Sequence, residues 1–232
     1  MRTAAILPVK RFADAKSRLG ASGVAETLRD RLARAMVDDV LQALAQTASI
    51  ERTIVVTCEP RVTQSATEHG ALLLDDAAES GQSAAVALGA AHAIADGFER
   101  VLCIPGDCPT LDPHELDALL AAADARAADG GAEVAIVPDR HGAGTNGLLL
   151  TPPDVIEPAF GPQSCERHRK LARAAGARCE IERPASLLLD IDTGDDLAAL
   201  QRRLEATGAA AASTRAVLGQ PEGHLLSIIQ SG

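Results

Sequence analysis

The sequence predicts an α/β fold: a mainly parallel, mixed sheet with helices on both faces, built as a single domain over residues 1–206. Three observations lead there. Short β-branched or Leu-rich runs alternate with Ala-rich stretches of helical periodicity. The chain has 232 residues, 47% hydrophobic and 23% charged, which suits one large domain with its own core. No Pro/Ser-rich linker interrupts the alternation.

Each element follows from its local pattern. AAILPV (4–9) reads as a strand. Residues 24–44 place Leu28, Leu32, Met36, Val37, Val40, Leu41 and Leu44 at helical spacing. RTIVVT (52–57) is a strand, 61–69 a short helix and ALLLD (71–75) a strand. Residues 81–97 open with Gly and Ser and continue as a helix. RVLCIP (100–105) is a strand, and 112–128 a helix with Pro113 suited to its first turn. EVAIVPD (133–139) is a strand. HGAGTNGLLLT is then a Gly-rich loop entering a strand, FGPQSCERHRKLARAAGA (160–177) a turn feeding a basic helix, and SLLLDIDTGDDLAALQRRL (186–204) a strand, an acidic turn and a helix. Residues 207–232 end in HLLSIIQ, which suits a last strand or a tail packed on a partner chain, so a homodimer is compatible with the sequence.

Composition narrows the function. A formal net charge of −10 argues against a nucleic-acid partner, which needs a positive surface. No apolar run reaches the roughly 20 residues that span a bilayer, so no membrane partner is expected. The apolar stretch of MRTAAILPVK is too short for a signal peptide, and a cytoplasmic protein is expected. The five Cys are odd in number and contain no CxxC, and the six His contain no HxxxH or HxH, so neither disulfides nor a His-built metal site is expected. With no Trp or Tyr and three Phe, any nucleobase must be read by backbone groups and amides.

Parallel sheets bind ligands beyond the carboxyl ends of their strands, where Asp75, Asp107 and Asp139 follow apolar runs. GDCPTLD (106–112) and LLLDIDTGDDL (187–197) each put carboxylates directly after such a run. Asp190 and Asp192, two apart, face one side of an extended segment. Three carboxylates meeting at a sheet edge repel unless a cation joins them, and hard oxygen donors suit Mg²⁺. Asp195 and Asp196 are more simply first-turn acids favoured by the helix dipole. Opposite in sign, PVKRFADAKSRL (8–19) places Lys10, Arg11, Lys16 and Arg18 after the first strand. GAGTNG (142–147) offers backbone N–H groups and the Thr145 hydroxyl. FGPQS leads into a helix where Arg167, Arg169, Lys170 and Arg173 stand against Glu166, four bases to one acid, a local charge of +3. SGQSAA (80–85) puts a glycine, an amide and hydroxyls at another helix start. Acids for Mg²⁺, bases for a polyphosphate and a second anion site are the inventory of phosphoryl or nucleotidyl transfer. Cys108, beside Asp107, lacks a nearby His and is a poor nucleophile candidate.

ILPVKRFADAKSRL, GQSAAVALG, IPGDCPTL, TNGLLL, FGPQSCERHR and LLLDIDTGDDL, in that order, resemble the guanylyltransferases of deazaflavin coenzyme F-420 biosynthesis over about residues 3–205. The resemblance implies the Rossmann-like nucleotidyltransferase fold. It implies transfer of GMP from GTP to the phosphate of a three-carbon acid (phosphoenolpyruvate, 2-phospho-L-lactate or 3-phospho-D-glycerate) with release of pyrophosphate. It puts Mg²⁺ on Asp107, Asp190 and Asp192, and catalysis on Asp107 and Lys16. The acid falls to Thr145, Gly161 and Ser164. GTP falls to the first loop, from Pro8 through Lys10 to Lys16, and to Gly81, Gln82 and Ser83.

Two departures flank Ser164. Gln163 and Cys165 stand where the family pattern has a small residue and an aromatic, which leaves the three acids open. The competing reading is a related cytidylyl- or molybdopterin-directed transferase. The molybdopterin branch normally carries a Gly-rich first loop, which PVKRFADAKSRL lacks. A non-catalytic nucleotide-binding module gives no reason for three converging carboxylates.

Overall fold

The computed structural model describes residues 1–14, 16–127, 130–206 and 211–220, so HLLSIIQ lies outside the described residues. The strands are β1 (Thr3–Val9), β2 (Arg52–Thr57), β3 (Leu72–Asp75), β4 (Arg100–Cys103), β5 (Glu133–Pro138), β6 (Thr145–Thr151) and β7 (Arg178–Ile181). They form one sheet in the order β3-β2-β1-β4-β6-β5-β7. β6 pairs antiparallel with both β4 and β5, while the other four pairings are parallel. The sheet is therefore mixed and mainly parallel, as expected.

Period-2 alternation sends the strands' side chains into two layers. Ala5, Leu7, Val9, Val55, Leu102 and Val137 pack with helix α2 (Glu26–Gln46), α3 (Thr63–Glu68) and α5 (Pro113–Ala127). Ala4, Ile6, Val56, Val101, Ile136 and Leu148 face the other way, against α4 (Gln82–Ala95) and α6 (Ser164–Ala174). Each fully buried Leu, Ile or Val there stabilises the fold by about 1.5–3 kcal/mol.

A third cluster sits beyond the sheet. α2 buries Val37, Leu41 and Leu44 on the sheet, but its first turns carry Leu28, Leu32 and Met36 onto α1 (Ser17–Ala21), α7 (Gly194–Ala206) and α8 (Ala212–Leu218). Asp39 of α2 accepts hydrogen bonds from the Ser213 and Thr214 amides at 2.9 and 2.8 Å, which satisfies two otherwise orphaned donors of α8.

Two elements differ from expectation. The strand expected at the start of 186–204 is a 3-10 turn, Ala185–Leu187, followed by irregular chain outside the sheet. Leu187 packs into the sheet's core while Leu189 and Ile191 pack into the third cluster, so its apolar run serves two cores. The edge strand is instead β7, RCEI, whose short length and charged residues hide it from a periodicity search.

Candidate active site

β1 and β4 are neighbouring parallel strands, and the strand order reverses between them: the chain runs from β1 to β2 on one flank and from β4 to β5 and β6 on the other. Their carboxyl ends form the switch point at which such sheets bind ligands. A cleft of about 610 Å³ opens there, lined among others by Pro8, Lys10, Lys16, Gly81, Gln82, Asp107, Gly161 and Asp192.

Lys16 anchors this cleft. It precedes α1 in the left-handed region (φ 60°, ψ 32°), a conformation that costs a non-glycine residue about 1–3 kcal/mol and recurs at functional sites. Its side chain is 7% exposed, and its ammonium lies 2.5 Å from Asp107 Oδ2 and 3.0 Å from Asp192 Oδ1. Arg18 adds a contact at 3.3 Å to Asp192 Oδ2. Burial opposes the charge on Lys16, yet the two carboxylates outweigh it and raise the Lys16 pKa above the ordinary value. Burial likewise opposes ionisation of Asp192, and Lys16 with Arg18 brings its pKa below the usual carboxylate value.

The two acidic segments are tied by backbone: the Ile191 N–H donates to the Asp107 carbonyl at 3.1 Å. Asp190 turns to Asn146, whose Nδ2 donates to Asp190 Oδ1 at 3.1 Å and to the Leu187 carbonyl at 3.0 Å. Burial and then the charge of Asp107 raise the Asp190 pKa. Asp196 folds the turn that follows Asp192, accepting from the Thr193 N–H at 2.8 Å and pairing with Arg140 at 2.7 Å.

Asp107 and Asp192 carry carboxylate oxygens, the donor type that a divalent cation such as Mg²⁺ takes. They already converge on one positive charge, and Asp107 Oδ1 is buried with no hydrogen-bond partner among the described residues. A second positive group would satisfy that oxygen. Among the described residues, however, no three His, Cys, Asp or Glu side chains already close on a common point. Lys16 stands between Asp107 and Asp192, and Asp190 is held aside by Asn146.

A second set of residues forms beside the cleft. Asp139, at the end of β5, accepts the Ala143 and Gly144 amides, both at 2.9 Å, and so folds the GAGTNG loop. A Cβ at Gly144 would lie 2.6 Å from Asp139 Oδ2, so a larger residue would have to displace the carboxylate that folds the loop. The loop delivers Thr145 to the start of β6, where it is buried. Ala143 accepts the Cys165 amide at 3.2 Å, which joins this loop to the start of α6, where Ser164 is also buried. Gly161 has φ 105° and lines the cleft; Gln163 holds φ 59° ahead of the helix. Thr145, Ser164 and Asp190 stand outside the cleft lining.

Arg167, expected as an anion ligand, donates instead to the carbonyls of Ala159, Phe160 and Pro162, and so holds the FGPQS turn. Ser83, expected at the nucleotide, accepts the Phe160 amide at 2.9 Å and stitches the start of α4 to the same turn. His168 contacts Thr145 and Ala159 from inside α6. Sequence patterning alone did not single out Asn146 or His168, because an amide in a strand and a His in a basic helix look ordinary.

Residues 3–209 match the family model described as guanylyl transferase CofC like. The chain belongs to this guanylyl transferase family. It is 51% identical over 220 residues to the phosphoenolpyruvate guanylyltransferase of Conexibacter woesei, covering 95% of this chain and 96% of that one. It is 34% identical over 201 residues to the 3-phospho-D-glycerate guanylyltransferase of Phenylobacterium zucineum, covering 85% and 89%. The fold is shared with a solved cytidylyltransferase from Leptospira borgpetersenii, with a TM-score of 0.60, 14% identity and coverage of 100% and 98%. The chain is thus an enzyme, a nucleotidyltransferase of the guanylyltransferase kind. No helix among the described residues is long and apolar enough to cross a membrane.

Proposed function

We propose that the chain transfers GMP from GTP to the phosphate of phosphoenolpyruvate and releases pyrophosphate. The observation that carries this reading is the Lys16 ammonium clasped by Asp107 and Asp192 at the mouth of the switch-point cleft. It gathers cationic and anionic groups where a triphosphate must meet a second phosphate. The acceptor follows the name of the 51%-identical relative. 3-Phospho-D-glycerate and 2-phospho-L-lactate remain in the test because Gln163 and Cys165 border Ser164.

The acceptor phosphate attacks the α-phosphorus, a new P–O bond forms, and the bond to the β-phosphate oxygen breaks in line as pyrophosphate leaves. No protein base is needed, since a phosphomonoester with a second pKa of about 6 is mostly a dianion at neutral pH. Mg²⁺ on Asp107 and Asp192, with Asp190 beside them, would neutralise charge on the phosphates. Lys16 adds a positive charge that needs no reorganisation as the transition state forms. Lys10 and Pro8 line the nucleotide side, and Gly81 and Gln82 offer backbone and amide groups to the base. Thr145, Gly161 and Ser164 receive the acid. A cytoplasmic setting, and coenzyme F-420 biosynthesis as the pathway of the product, are part of this proposal.

The test is pyrophosphate release from GTP, CTP and ATP, each with the three acids and Mg²⁺. Release with GTP and phosphoenolpyruvate above all other pairs supports the reading. Release with CTP alone, or with none of the acids, overturns it.

A further inference from the structure

His168 is fully buried, although the exposed residues around it on α6 are charged. Both ring nitrogens are engaged. Nε2 lies 2.9 Å from the backbone nitrogen of Ala159, and an amide N–H can only donate, so Nε2 carries no proton. The proton of the neutral ring is therefore on Nδ1, which lies 3.1 Å from Thr145 Oγ1 and donates to it. Burial, and then the Arg167 charge, lower the His168 pKa to about 4, so the ring is neutral at ordinary pH. Phe160 holds the ring edge-on at 5.1 Å.

This arrangement constrains Thr145. Its oxygen already accepts a hydrogen bond from His168, so its own hydrogen points away from the ring and is free to donate elsewhere. We propose that His168 is a positioning residue for the acceptor: it takes its tautomer from the Ala159 amide and fixes the Thr145 hydroxyl as a donor toward the anionic acid. This inference rests on the reading of Thr145 as part of the acceptor pocket. It also explains why a histidine fits this position in a basic helix. A leucine would fill the volume but would leave the Ala159 amide unpaired and the Thr145 hydroxyl free to rotate.

Two substitutions separate the two nitrogens. His168→Asn keeps a donor near the Nδ1 position and loses the Nε2 acceptor. His168→Gln keeps an acceptor near Nε2 and loses the Nδ1 donor. The expected result is that H168Q raises KM for phosphoenolpyruvate about tenfold and H168N by less than about threefold, with KM for GTP within about twofold in both, on the scale of one lost hydrogen bond. In a Thr145→Val background, H168Q should add no further rise. Equal rises in both KM values, an unchanged KM for the acid in H168Q, or additive effects with Thr145→Val would overturn the inference. Nitrogen NMR of the parent protein reads the same point without any variant: a bare Nε2 and a protonated Nδ1 from pH 6 to 8 are expected, and the opposite tautomer overturns it. A parent enzyme with no acid-dependent turnover would defeat the functional reading instead, and the NMR result would remain to decide the tautomer.

Discussion

The Lys16 ammonium lies 2.5 Å from a carboxylate oxygen of Asp107, a residue 91 positions away that reaches the same edge through the pairing of β1 with β4. Asp192 completes the clasp at 3.0 Å. Asp107→Asn keeps the shape but removes the charge that this edge is built around. We expect kcat to fall about 10²–10³-fold with far-UV circular dichroism unchanged, the scale for losing one preorganised electrostatic group. Chelation of divalent cations should abolish turnover in the parent, and added Mg²⁺ should restore it. Near-normal turnover of Asp107→Asn would remove this residue from the site.

Lys16→Met leaves Asp107 and Asp192 facing each other without the buried ammonium between them, with the exposed Arg18 still beside Asp192. Stability should fall by about 1–3 kcal/mol, or roughly 2–10 °C in Tm. Added Mg²⁺ should recover more of the Tm in this variant than it adds to the parent. Thermal unfolding with and without Mg²⁺ measures both. An equal Mg²⁺ response in the two proteins would mean that the lysine and the cation do not share these carboxylates.

Glu59 holds the root of the loop that carries Lys16. It accepts the Phe12 amide at 2.9 Å and pairs with Arg61 at 2.7 Å. Hydrogen bonding from Arg61 is the main cause that lowers its pKa from an ordinary 4.5 to about 2. The folded state thus binds this proton more weakly than the unfolded state, and the stabilisation is present above pH 4.5 and is lost as pH falls toward 2. The stability gap between the parent and Glu59→Gln should be full near pH 6 and close across that window in denaturant titrations. A gap that does not change with pH would contradict this.

Gly144→Ala drives a methyl group into Asp139 Oδ2 and should open the loop that presents Thr145. A loss of about 1–3 kcal/mol is the usual cost of such overpacking. In steady-state assays, KM for the acid should rise while KM for GTP stays constant. A variant with unchanged stability and KM would show that the loop has room to spare.

The sheet was legible because nearly every strand is an apolar run with a helix behind it, and because Asp107 ends such a run. The 187–191 segment was misread for the same reason. Its alternation of Leu187, Leu189 and Ile191 looks like a strand, yet it feeds two cores and hydrogen-bonds to Asp107 rather than to a neighbour in the sheet. Motif matching grouped Asp107, Asp190 and Asp192 and gave Lys16 to the phosphates, whereas the structure sets Lys16 against Asp107 and Asp192 and turns Asp190 to Asn146. Nor could it foresee that Arg167 turns to its own loop's carbonyls, or that His168 reaches Thr145. Those contacts depend on side-chain direction across elements, which spacing along the chain does not encode.

The central claim is that the α-phosphorus of GTP passes to the acid. The most direct measurement is a reaction of α-labelled GTP with phosphoenolpyruvate and Mg²⁺, followed by phosphorus NMR of the labelled product. The expected result is one new phosphoanhydride containing both the label and the phosphoenolpyruvate phosphorus, with one pyrophosphate released per product. Label recovered only as free GMP, with phosphoenolpyruvate unchanged, would contradict the claim.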